Sequence, residues 1–202
     1  MSYSHLIQRA IDFAAKVHEG QYRKKGDVPY FSHCAVVASL LSAAGCDETV
    51  VAAGVLHDVV ENTDTTVDEV ARKFGRPVAA LVDAVSEDPS HRTWGARKQG
   101  YIDSVSRGPA GTEAIVAADK IHNMASILAY GERGGDLWSI SKGSREDQLW
   151  FYRTIGDILE SRIGQNSAAG APCAVGAPCA VGVKNLLAEY KRFLATIEDR
   201  PA

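Results

Sequence analysis

Cysteine is scarce, with four in 202 residues. Two of them, Cys34 and Cys46, fall inside helical patterns, so no disulfide framework is built from them. Cys173 and Cys179 lie six apart with no second cysteine pair or histidine nearby, which is not the spacing of a zinc site. A basic surplus is also missing: 22 Lys and Arg stand against 25 Asp and Glu, for a net charge of −3. That balance excludes bulk nucleic-acid binding, and any anionic ligand must be met by local basic clusters. No apolar run approaches the roughly 20 residues of a membrane helix, and the N-terminus MSYSHLIQRAIDFAAKVHEG lacks the continuous apolar core of a signal peptide. The chain therefore reads as cytoplasmic, with no membrane partner. Sustained period-two alternation is absent as well, which argues against a half-buried sheet.

What is present is helical spacing nearly throughout. With 46% hydrophobic and 23% charged residues the composition is that of an ordinary globular protein, and the length suits one domain over 1–202. Leu6, Ile7, Ala10, Phe13, Ala14 and Val17 mark one face of a first helix. A second is expected over about 33–44 with Gly45 as its stop, and a third from the N-cap Asp47 to about Asn62. Thr66 with Glu69 forms a capping-box pattern, Gly75 is a stop, and Pro77 suits the first turn of the next helix, through about Val85. Further helices fit about 93–106, 112–130, 145–163 and 184–198. The fold class expected is all-α, a bundle of about eight to ten helices. One segment breaks the pattern: APCAVG occurs twice in succession, and 164–183 reads as a flexible Gly/Ala/Pro/Cys connector before the C-terminal helix.

The stretch GVLHDVVENT, residues 54–63, sets His57 beside Asp58 in an apolar run, with Glu61 three residues later. On a continuous helix His57, Asp58 and Glu61 could share one cavity. Buried carboxylates are costly without a partner, and a divalent cation takes imidazole nitrogen and carboxylate oxygen together. From this stretch alone, a core histidine with two salt-bridged acids is the simpler alternative. Two other apolar segments, PYFSHCAVVASLL and EAIVAADKIHNMASIL, add His33 and Asp119. The four side chains together form a suitable set for Mn²⁺ or a similar ion.

Five elements in order, AAKVHEGQYRKKGDVPYFSH, AAGVLHDVVENT, FGRPVAALVDAVSED, WGARKQGYIDSV and IVAADKIHNM, resemble the HD-domain phosphohydrolases. The likeness is strongest to the stand-alone alarmone hydrolases of the Rel/SpoT family, similar to the metazoan SpoT homologues. The resemblance implies a helical HD domain holding one Mn²⁺ on His33, His57, Asp58 and Asp119. It implies hydrolysis of the 3′-pyrophosphate of (p)ppGpp to GDP or GTP. Glu61 would accept or orient the proton of the attacking water, beside Asn62 where relatives usually carry Asp. If that missing carboxylate were the essential base, turnover would drop by about 10² to 10⁴-fold. Arg23 and Lys24 would meet the purine, Arg97 and Lys98 the phosphates, and Asn123 the nucleoside. Arg145 and Tyr152 would close the rim. His122, three residues from Asp119, could add a fifth ligand but reads rather as a histidine of the core or one behind the ligands. Other readings remain open: an HD hydrolase of another nucleotide such as (p)ppApp or NADPH, or a non-catalytic alarmone sensor. A homo-oligomer is open too.

Overall fold

The computed structural model describes residues 4–24, 27–140, 142–168 and 177–200, the side chains of 166–168 and 177–180 apart. Among them are ten α-helices and one 3-10 turn, and the sole β-bridge joins Tyr22 to Pro29. The order is α1 (His5–Val17), α2 (Phe31–Ala43), α3 (Glu48–Leu56), α4 (Val59–Asn62) and α5 (Val67–Phe74). Then follow α6 (Arg76–Ala84), α7 (Trp94–Arg107), α8 (Thr112–Glu132), α9 (Arg145–Ala168) and α10 (Ala177–Glu198), with the 3-10 turn (Leu137–Ile140) before α9. The fold is all-α. No helix among the described residues is long and apolar enough to cross a membrane.

Local chemistry sets several boundaries. The Asp47 carboxylate accepts from Val50 N at 3.0 Å, and Thr66 Oγ1 accepts from Glu69 N at 3.2 Å, so both expected caps satisfy an otherwise orphaned first-turn N–H. Thr93 does the same for α7 through Ala96 N, 3.2 Å away. Gly75 ends α5 at φ +94°, a conformation that favours glycine.

α3 is the central rod, buried at every position from Val50 to Leu56 and packed on α1, α2, α6 and α8. That enclosure explains an apolar run without amphipathic spacing. At Gly54 a Cβ would stand 2.2 Å from Leu41 Cδ1, so glycine is what lets α2 and α3 approach closely. Across the bundle the Arg162 guanidinium of α9 donates to the carbonyls of Ser106 (2.9 Å), Gly108 (2.9 Å) and Pro109 (3.0 Å) and pairs with Glu113 (3.0 Å). It caps the end of α7 and fixes that helix against α8.

Two expectations need correction. The single helix from Asp47 to Asn62 is broken at His57–Asp58, where α3 ends and the short α4 begins. Consecutive residues of a regular helix project about 100° apart, so an unbroken helix could not aim His57 and Asp58 at the same point. The 164–183 connector is shorter than its composition suggests, because α9 continues to Ala168 and α10 starts at Ala177. Tertiary packing overrides weak propensity there: a Cβ on Gly182 would come within 1.9 Å of the Ala44 carbonyl oxygen, so this stretch lies directly on the end of α2. The middle of the connector, 169–176, lies outside the described residues.

Candidate active site

Three segments converge where α3 stops. His33 comes from the first turn of α2, His57 and Asp58 from the break, and Asp119 from the middle of α8. His33, His57 and Asp119 are buried at 1, 3 and 5% exposure in an otherwise apolar core. The two Nε2 atoms lie 3.0 Å apart. Asp119 Oδ1 is 3.2 Å from His33 Nε2 and 3.7 Å from His57 Nε2; Asp58 Oδ2 is 3.2 Å from His57 Nε2 and 3.5 Å from His33 Nε2. Ligand atoms of His33, His57 and Asp58 all fall within 4.8 Å of one another.

Hydrogen bonds behind these residues fix their orientation. His57 Nδ1 donates to Gly54 O at 2.8 Å, which leaves the lone pair of the neutral ring on Nε2, facing the cluster. His33 Nδ1 meets His122 Nδ1 at 2.7 Å, so His122 stands behind His33 on the side away from the cluster. Tyr30 O–H donates to Asp58 Oδ2 at 2.6 Å, and Asn62 Nδ2 donates to the phenolic oxygen Oη of Tyr30 at 3.1 Å. Asn123 Nδ2 donates to Asp119 Oδ1, and Lys120 Nζ to Asp119 Oδ2, each at 2.6 Å. The 100° separation of Asp119 and Lys120 along α8 does not part them, because the long lysine chain curls back over the Tyr101 ring, 4.7 Å from its centroid.

Protonation follows from this crowding. Burial works against charging His57, but Asp58 and Asp119 outweigh it and lift the imidazole well above its ordinary range. His33 is pushed down by burial despite Asp119. Burial alone would raise Asp58, yet His57 holds it below the carboxylate range; Asp119 resists burial likewise, through Lys120 and then His33. Two ionised carboxylates thus face a pair of imidazoles of which one is readily charged. A divalent cation fits this donor set, since two imidazole nitrogens and two carboxylate oxygens already point inward and the cation would replace the His57 proton.

The cluster opens into a cavity of about 580 Å³. Asp58, Asp119, Glu61, Asn62, Arg23, Lys24, Lys98, Asn123 and Tyr152 line it, so most residues expected at the site lie together. Glu61 is exposed to this space, and desolvation, with Asp58 and Glu87, raises its carboxyl above the usual range. Arg23 Nη2 donates to Asn123 Oδ1 at 2.8 Å, with its guanidinium 5.5 Å from the Tyr30 ring centroid. Lys98 and Lys120 both lie over the Phe151 ring, 4.6 and 5.6 Å from its centroid. Tyr152 is buried, and burial pushes its phenol up to about 12.

Two expected contacts fall elsewhere. Arg97 pairs with Glu87 at 3.2 Å and is not in the cavity wall; Glu87 also takes Lys98 Nζ. Arg145 Nη2 donates to the carbonyls of Glu198 (2.9 Å) and Arg200 (3.3 Å), where it compensates the negative end of α10. Tyr30 and Lys120 are site residues that sequence reasoning did not select. Tyr30 offers no periodic signal, but it stands three residues before His33 in a segment already marked by that ligand.

The chain is a helical bundle with a histidine–aspartate cluster at a helix break, and comparison with known proteins gives its family. Residues 10–133 match the HD domain family, and the chain belongs to it. It is 37% identical over 124 residues to human guanosine-3′,5′-bis(diphosphate) 3′-pyrophosphohydrolase MESH1, covering 60% of this chain and 69% of MESH1. It is 34% identical over 127 residues to the probable chloroplastic GTP diphosphokinase RSH2 of rice, but covers 16% of that protein's length. A solved structure of a metazoan SpoT orthologue that hydrolyses ppGpp superposes with a TM-score of 0.70 at 25% identity, covering 96% of this chain and 99% of that one.

Proposed function

We propose that this protein hydrolyses the 3′-pyrophosphate of guanosine alarmones, converting ppGpp or pppGpp to GDP or GTP and pyrophosphate. The observation that carries this reading is the cation-ready cluster opening into a cavity walled by Arg23, Lys24, Lys98 and Lys120 in a protein of net negative charge. These are the local cations that a substrate with two polyphosphate groups needs. The kinship to MESH1 and to the metazoan SpoT orthologue supports the same substrate.

We take the ion to be Mn²⁺, held by His33, His57, Asp58 and Asp119; when bound it would polarise the phosphoryl oxygens and make water a better nucleophile. Glu61 faces the same space, and its raised carboxyl suits the acceptance of the water proton near neutral pH. Lys98 and Lys120 neutralise the pyrophosphate, which leaves as the bond between phosphorus and the 3′ oxygen breaks and that oxygen gains a proton. Arg23 stacks on the purine, with Lys24 beside it, while Asn123 and Tyr152 bound the nucleoside. Asn62 spends an amide N–H on the Tyr30 hydroxyl, and because a carboxamide does not titrate near neutral pH it serves as neither acid nor base.

The test is incubation of the protein with Mn²⁺ and ppGpp, pppGpp, ppApp or NADPH, with products separated by ion exchange. Release of pyrophosphate from the guanosine compounds, abolished by EDTA and by Asp119→Asn, is the expected result. Phosphate loss only from NADPH or ppApp would overturn the substrate assignment, and binding without turnover of any would make the protein a sensor.

A further inference from the structure

The direction of two hydrogen bonds gives Asn62 a different task from that of a lost acid. Tyr30 has a single phenolic proton, and its oxygen lies 2.6 Å from Asp58 Oδ2. Were that proton turned elsewhere, two bare oxygens would face each other at that distance, so it belongs on the bond to Asp58. The amide of Asn62, 3.1 Å from the phenolic oxygen, must then present its NH₂ and not its carbonyl, since an acceptor there would find no donor. The order is fixed as Asn62 Nδ2–H to Tyr30 O–H to Asp58 Oδ2. A carboxylate at position 62 could only accept, and would compete with Asp58 for the one phenolic proton. Asn62 is itself anchored, because Gln21 Nε2 donates to its main-chain carbonyl at 2.8 Å.

We infer that Asn62 and Tyr30 are positioning residues that hold Asp58 in its cation-ligating orientation, with Asn62 acting through the Tyr30 hydroxyl. Asp58 enters the cluster from the helix break, where it makes no side-chain cap bond, so its rotamer depends on such partners. The inference rests on the proposed cation site. Outer partners that orient a ligand are worth about 10- to 100-fold in metal affinity.

Titration of the metal-stripped protein with Mn²⁺, followed by calorimetry, tests this without reference to turnover. Tyr30→Phe should bind Mn²⁺ about tenfold more weakly or worse, and Asn62→Ala more weakly by a smaller factor. Asn62→Ala placed on Tyr30→Phe should add nothing, because its route to Asp58 is gone. Circular dichroism and melting in EDTA show whether each variant remains folded, and Asn62→Ser gives a second, milder variant for the same cycle. Equal losses from Asn62→Ala with and without the phenol, or full affinity in Tyr30→Phe, would overturn the positioning roles. Wild-type protein that takes up no Mn²⁺ would instead overturn the cation site beneath them, so the two failures are distinguishable.

Discussion

Replacing Lys120 by methionine separates the charge of Asp119 from its nearest compensation while keeping the apolar stem over Tyr101 and Phe151. The ammonium lies 2.6 Å from Asp119 Oδ2, and the two side chains are 12 and 8% exposed. Removing one partner of a buried pair costs about 3–5 kcal/mol. The low end applies, because Asp119 Oδ1 keeps the Asn123 amide at 2.6 Å and the His33 ring at 3.2 Å. In a chain of this length each kcal/mol moves the midpoint by about 2–4 °C, so about 3 kcal/mol lowers it by roughly 6–12 °C in EDTA. Mn²⁺ bound at Asp119 would supply part of the missing positive charge, so the gap between variant and wild type should narrow when the ion is added. Differential scanning fluorimetry at pH 7, with EDTA or with excess Mn²⁺, measures both gaps. A loss below about 2 °C in EDTA, or a loss of equal size in both conditions, would refute the reasoning.

The remaining predictions concern pH, capping and packing. Burial, then His33 and Arg23, depress His122 from 6.5 to about 4, so the unfolded chain takes up this proton first and stability rises with pH between about 4 and 6.5. His122→Gln should flatten that part of the profile of urea midpoints; an unchanged slope would mean that His122 is not the group. Arg145→Ala should leave the KM for ppGpp unchanged, since the guanidinium serves the end of α10, and should lower the melting midpoint by about 2–4 °C for a loss near 1 kcal/mol. A KM several-fold higher with an unaltered midpoint would return Arg145 to the pocket. Gly182→Ala should destabilise by about 1–3 kcal/mol through overpacking against the Ala44 carbonyl, read as a lower urea midpoint.

The histidine–aspartate cluster was legible because a charged side chain in an apolar run stands out against its surroundings: His33, His57, Asp58 and Asp119 each interrupt a buried stretch. Caps at Asp47 and Thr66 were legible for a similarly local reason, since a short polar side chain and the N–H it satisfies are three residues apart. The break at His57–Asp58 was not, because neither glycine nor proline stands at or next to it. It is the convergence of side chains from α2 and α8 that rewards leaving the helix there. Arg145 was misplaced for the opposite reason: an arginine beside aromatics looks alike whether it faces a ligand or a helix end. Tyr30 was invisible as a partner of Asp58 because 28 residues separate them and neither carries a periodic signal.

One short segment between α1 and α2 reaches both carboxylates. Tyr30 holds Asp58 directly, while Arg23 holds Asn123, which in turn donates to Asp119. The same segment supplies Arg23 and Lys24 to the cavity wall, so the Arg23 guanidinium of that wall is two hydrogen bonds from the buried Asp119 carboxylate. α8 completes the circuit from the other side with Asp119, Lys120 and Asn123 within two turns. The basic wall of the cavity and the buried cluster are therefore joined through a single asparagine, whose amide oxygen accepts from Arg23 while its NH₂ donates to Asp119.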